Sequence, residues 1–230
     1  MKTLGMIGGL GPESTIEYYK FLIAAYREQQ ADGSYPSFFI NSVNLTKVVD
    51  LITADQLAEV AEYLATEINK LASAGAQLGL LTANTPHVVF DEIQRRSRIP
   101  LVSIVEATCE AAQALKLKKL GLLGTRFTMQ GRFYSDVFTK AGIELTVPTP
   151  EERVYLHERY MTELLKGIIL PETRERLQEI IDNLKQRERI QGVILAGTEL
   201  PLILRGEDRD IPFLDTTKIH VNAAVKELLS

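Results

Sequence analysis

Two short runs carry side chains able to hold a carboxylate and handle a proton. Thr82-Ala83-Asn84-Thr85 and Ala196-Gly197-Thr198-Glu199 each follow an apolar run and open a helical pattern. Asn and Thr side chains, with exposed backbone N–H groups, bind a carboxylate without a full counter-charge. Taken alone, each run is also an ordinary helix start, because Asn84, Thr85 or Thr198 can cap the first amides of its own helix. A third run, Gly8-Gly9-Leu10-Gly11-Pro12, presents the Gly9 and Gly11 amides at a helix N-terminus, a seat for a carboxylate or phosphate. Its glycines lack the G-x-G-x-x-G spacing of a dinucleotide turn, so no nucleotide cofactor is expected. Thr125, directly after Gly124, occupies a fourth such turn.

The titratable groups near these turns are few. His87 lies three residues after Asn84, where a helix N-terminus favours neutral imidazole, a usable base; the alternative is a histidine that contacts its own turn or the core. Glu199 is a base if desolvated and otherwise a first-turn helix acid. Lys166 sits where a helix should end, so it either reaches a ligand or answers the macrodipole. His157 and His220 fall on expected helices away from the turns and read as surface residues. Cys109 lies inside an expected helix and reads as a small hydrophobe.

The elements that must place these groups are written twice. Lys2-Thr3-Leu4-Gly5-Met6-Ile7-Gly8 returns 116 residues later as Lys118-Lys119-Leu120-Gly121-Leu122-Leu123-Gly124. Gly79-Leu80-Leu81-Thr82-Ala83-Asn84-Thr85 returns at an offset of 113 as Gly192-Val193-Ile194-Leu195-Ala196-Gly197-Thr198. Near-constant offsets imply two similar α/β lobes, here residues 1–99 with 214–230 and residues 100–213, related by a pseudo-two-fold axis with a cleft between them. Short apolar runs alternating with amphipathic segments give each lobe a doubly wound parallel sheet flanked by helices. Strands are expected at Leu4–Ile7, Ser37–Val43, Leu78–Thr82, Leu101–Ile104, Leu120–Leu123, Glu144–Val147, Gly192–Leu195 and Phe213–Asp215. In such sheets ligands gather beyond the carboxyl ends of the strands, where all four turns fall.

Bulk properties remove other function classes. A net charge of −4 without a basic stripe argues against nucleic acid as a partner. No apolar stretch reaches the length of a membrane span. A single cysteine excludes a disulfide framework and a cysteine-rich metal site, so no metal is expected. The start of the chain lacks the apolar core of a signal peptide, and a cytoplasmic setting is expected.

Gly8-Gly9-Leu10-Gly11-Pro12, Ala83-Asn84-Thr85-Pro86-His87, Gly124-Thr125, Leu165-Lys166-Gly167 and Gly197-Thr198-Glu199 together resemble the aspartate/glutamate racemase family. The resemblance runs from Met1 to about Val225. It implies two α/β lobes, an amino acid or dicarboxylate as the small-molecule partner, no cofactor, and a homodimer. It also implies that Lys166 binds the substrate's distal carboxylate. In the family, two cysteines on opposite faces of the substrate α-carbon exchange its proton. Their places correspond to Ala83 and Gly197 here, and neither residue can carry a proton. The Asn41–Lys47 segment lacks the arginine with which some aspartate-specific relatives clamp a distal carboxylate.

Three readings stand side by side. One is a racemase-like enzyme using His87, Glu199, Lys166 or water in place of thiols, which favours a one-base exchange or lyase reaction over full inversion. The second is a non-catalytic protein that binds an amino acid or carboxylate. The third, a thiol replaced by design to trap a ligand, suits Ala83 better than Gly197.

Overall fold

The computed structural model of the chain describes residues 2–30, 32–204 and 210–230. The chain divides into two compact units, Met1–Ile104 with His220–Ser230, and Val105–Ile219. The crossing points lie a few residues beyond those expected from the repeat. The short strand near residue 214 pairs within the second unit, and the chain does not cross until the first turn of the final helix.

In the first unit the order is β1 (Leu4–Gly8), α1 (Pro12–Gln29), β2 (Phe38–Ser42), α2 (Leu45–Thr53), α3 (Leu57–Ser73), β3 (Leu78–Leu81), a 3₁₀ turn (Thr85–Val89) and α4 (Phe90–Arg96). The sheet is parallel throughout, in the order β2-β1-β3. All residues of β1 and β3 are buried, as strands covered on both faces require. On one face, Leu4, Met6, Leu78 and Leu80 pack with Tyr18, Leu22 and Tyr26 of α1. The final helix supplies Val221, Ala224, Val225 and Leu228 to the same core. On the other face Gly5 lets α3 approach closely, since a Cβ there would lie 2.9 Å from Ala76 Cβ and 3.0 Å from Leu71 Cβ.

In the second unit α5 (Ile104–Ala114) leads into β4 (Lys119–Gly124), α6 (Arg126–Gln130), α7 (Arg132–Lys140), β5 (Glu144–Thr146), α8 (Pro150–Thr162), a 3₁₀ turn (Leu164–Lys166) and α9 (Pro171–Glu188). After these come β6 (Val193–Ala196), α10 (Leu200–Ile203), β7 (Phe213–Asp215) and the start of α11 (Thr216–Leu229). This sheet is also parallel, in the order β5-β4-β6-β7. Gly121 repeats the part of Gly5: a Cβ on it would meet Leu184 of α9 at 2.8 Å. The repeat in the sequence therefore preserves a packing requirement, a missing side chain on the central strand under a close helix.

Local rules account for the helix that matters most below. Thr149 and Glu152 form a capping box at the start of α8, and Pro150 occupies the first turn. Glu152, Leu156 and Tyr160 then recur at four-residue spacing and are the buried positions of that helix. One expectation is corrected. Leu101–Ile104 is not a strand, because only Leu101 makes a bridge, to Gly79, before α5 begins at Ile104. The Asn44–Lys47 stretch opens α2, with the Asn44 side chain accepting from the Lys47 amide.

Candidate functional site

The first unit brings two of the predicted turns together at the carboxyl edge of its sheet. Ile7 and Leu81 are register partners, so the chain leaves β1 and β3 side by side. Ser14 Oγ donates to Thr82 O at 2.6 Å, and Thr82 Oγ1 donates to Ile7 O at 3.0 Å. Gly9 takes φ +77°, and a Cβ there would lie 2.5 Å from Val43 O, so only glycine fits this turn. Its amide donates to Thr15 Oγ1 at 2.9 Å. Gly11, at φ +131°, precedes α1 without a side-chain cap. Ala83 and Asn84 are buried at the head of the 3₁₀ turn, and Thr85 begins it.

His87 is fully enclosed. The Ile104 amide donates to its Nε2 at 3.2 Å, so Nδ1 carries the proton and donates to Ala83 O at 3.0 Å. Burial first, and His220 second, hold its pKa down at about 3. The ring stacks on Phe90 at 5.0 Å between centroids. Its lone pair is committed to a backbone amide of the same unit, so the imidazole fastens the turn to Ile104. His220, expected on the surface, is 0% exposed. Its Nε2–H donates to Val102 O at 2.9 Å and its Nδ1 accepts from Tyr18 at 2.8 Å. Burial lowers its pKa to about 4. The correction was legible in the sequence, since His220 falls on the same stripe of α11 as Val221, Ala224 and Val225.

The second unit joins the other two turns in the same way. Gly124 and Ala196 are register partners on adjacent strands, so Thr125 and Gly197-Thr198-Glu199 leave the same sheet edge. Thr125 caps α6, its side chain accepting from the Thr128 amide. Glu199, 1% exposed, is held at Oε2 by two hydroxyl donors, Thr198 Oγ1 at 2.8 Å and the phenol of Tyr160. Tyr160, from the last turn of α8, was not anticipated as a site residue. Its pKa is pushed well above the ordinary tyrosine value, by burial first and by the neighbouring Glu199 charge second. Lys166 is exposed at the end of the 3₁₀ turn, which Gly167 closes in the left-handed conformation. Between α8 and that turn, buried Glu163 is engaged by Arg159 at 2.7 Å and Thr173 at 2.6 Å.

Cys109 is buried, and burial pushes its thiol pKa up, the opposite of what an active thiolate needs. His157, half-buried with its pKa lowered by burial, accepts from the Arg126 amide at 3.4 Å. Among the described residues no cluster of His, Cys, Asp or Glu could hold a metal ion. No helix among them is long and apolar enough to cross a membrane.

Two α/β units, each with a parallel sheet and its polar turns at the carboxyl ends of the strands, bring the chain to the Asp/Glu/Hydantoin racemase family. The model of that family matches residues 7–224, and the chain belongs to it. A Yersinia pestis protein provisionally described as an Asp/Glu racemase is 32% identical, with a TM-score of 0.91 over 100% of each chain. An aspartate racemase homologue from Pyrococcus horikoshii OT3 is 36% identical, with a TM-score of 0.84 over 99% of each chain. Among curated proteins, the broad-specificity amino-acid racemase of Bacillus subtilis (strain 168) is 26% identical over 243 residues, covering 99% of this chain and 98% of the relative.

Proposed function

We propose that this chain acts at the α-carbon of an amino acid, or of a close carboxylate analogue, as a racemase-type isomerase that uses no cofactor and no thiol. Family membership supports the class of reaction. The observation that carries the choice of acid–base group is the setting of Glu199, a buried carboxylate held by two hydroxyls one residue beyond Thr198, in the turn that also contains Gly197. Ala83 and Gly197 stand at the family's cysteine places and hold no proton. His87 has its lone pair on the Ile104 amide. With Lys166 exposed and assigned to the distal carboxylate, Glu199 is the side chain taken to accept the α-proton.

The step is a transfer of the substrate's α-proton to the Glu199 carboxylate, with the electron pair delocalised into the substrate's own carboxylate. Exchange of the proton on Glu199 with solvent, followed by its return to the same face, gives exchange with retention. Delivery of a solvent proton to the other face gives inversion. A single positioned base contributes about 10²–10⁴-fold, so retention with slow inversion is the expected balance. The polar groups proposed to recognise the substrate are the Gly9 and Gly11 turn, Asn84, Thr85, Thr125 and Thr198, with Lys166 for a distal carboxylate. A homodimer in the cytoplasm completes this reading, and analytical ultracentrifugation of the purified chain tests the dimer.

The competing reading is a protein that binds an amino acid without transforming it. It is favoured by the absence of any ionisable group at positions 83 and 197. Incubation with L- and D-amino acids in deuterated water separates the two, with the α-proton followed by NMR. Loss of the α-proton signal that Glu199→Gln abolishes supports the enzyme. Ligand binding without any exchange in the native chain would leave only the binder.

A further inference from the structure

We propose that Tyr160 is a positioning residue for Glu199, its ring filling the space that a side chain at position 197 would need and its hydroxyl holding the carboxylate. The proposal rests on the reading of Glu199 as the proton-handling group. It explains how the second unit can dispense with its thiol.

The steric half follows from the turn after β6. Gly197 is not among the glycines with positive φ, so its backbone would suit any residue. Glycine is required there only by a neighbour. A Cβ would lie 2.5 Å from Tyr160 Cε2, 2.9 Å from its hydroxyl oxygen and 3.1 Å from Cζ. The ring cannot easily yield, because it is rooted in the buried stripe of α8 and packed in the core with Leu156 and Leu164. The missing side chain at 197 and the large one at 160 thus form a matched pair. A cysteine restored at 197 alone would collide with the ring before its sulfur reached any substrate.

The chemical half follows from the other end of the same ring. Glu199 Oε2 accepts from both Tyr160 and Thr198. Two hydroxyl donors on one carboxylate oxygen fix where the side chain points. The buried phenol beside a carboxylate stays protonated, so it serves as a donor and not as the base. Tyr160 therefore acts through Glu199.

Each half has its own experiment. For the steric half, thermal unfolding is measured for Gly197→Cys, Tyr160→Ala and the double variant. Gly197→Cys alone should lower the Tm, and adding Tyr160→Ala should recover part of that loss, so that the double variant melts above the additive expectation. Additive effects would overturn the packing claim. For the chemical half, α-proton exchange is followed against pH for the native chain and for Tyr160→Phe, which keeps the ring. Loss of a hydroxyl donor to a charged group should slow exchange by about tenfold or more with little change in KM. It should also shift the pH profile of exchange. Exchange in the native chain with an unmoved Tyr160→Phe profile would sink this inference and leave the proposed function standing. No exchange in the native chain would sink the proposed function and the chemical half together, and the Tm coupling would still decide the steric half.

Discussion

Acidification should destabilise the chain before most of its carboxylates titrate, because two enclosed histidines of the first unit must stay neutral. His87 and His220 have folded pKa values of about 3 and about 4, and their ring centroids are 6.0 Å apart. An unfolded histidine titrates near ~6.5. Both folded values are depressed, so the unfolded chain binds more protons throughout the window between. Their stabilisation is whole above pH ~6.5 and is lost as the pH falls towards the folded values. From pH ~7.5 to ~5 each site costs about 2 kcal/mol, or about 4 kcal/mol for the pair. That is a large share of a typical domain stability of about 5–15 kcal/mol. The groups facing these rings are Tyr18, Phe90 and backbone carbonyls and amides, none of which ionises in this range. Glu67 and Glu163, whose pKa values lie below the usual carboxylate range, contribute only at lower pH. Urea unfolding at the two pH values, with and without His220→Gln, reads the effect. Glutamine keeps a donor for Val102 O, so the variant should fold while the pH-dependent loss shrinks by about half. Equal pH dependence in the two proteins, or imidazole signals titrating near ~6.5 in the folded state, would refute the reasoning.

Gly121→Val should cost about 1–3 kcal/mol, because its Cβ would lie 2.8 Å from Leu184 of α9; urea unfolding measures it. Thr149→Ala removes the capping box of α8 and should cost about 0.5–2 kcal/mol, again read in urea. Because that helix carries Tyr160, α-proton exchange should fall in Thr149→Ala as well. Cys109, buried with its thiol pKa pushed up, should resist an aromatic disulfide reagent in the folded chain and react promptly in urea; rapid labelling of the native protein would contradict its placement.

The sequence by itself determined the strands and their order of use. Each central strand had to be apolar along its length and to carry a glycine beneath a close helix, and Gly5 and Gly121 record that demand at matching places in the repeat. The turns beyond those strands were legible for the same reason. Helix periodicity likewise carries the burial of His220, which shares the spacing of Val221, Ala224 and Val225 in α11. Local pattern also misled where a bridge at Leu101 looked like a strand.

Tertiary structure alone decided what stands against Gly197. Periodicity reports which face of α8 is buried, and it places Tyr160 on that face. It cannot report that the ring fills the missing side chain of a glycine 37 residues further on while its hydroxyl reaches Glu199. Nor can spacing tell that the His87 lone pair is spent on the Ile104 amide. Backbone propensity and periodicity act over a few neighbouring residues, whereas the chemistry of a buried group is set by whatever the folded chain packs beside it.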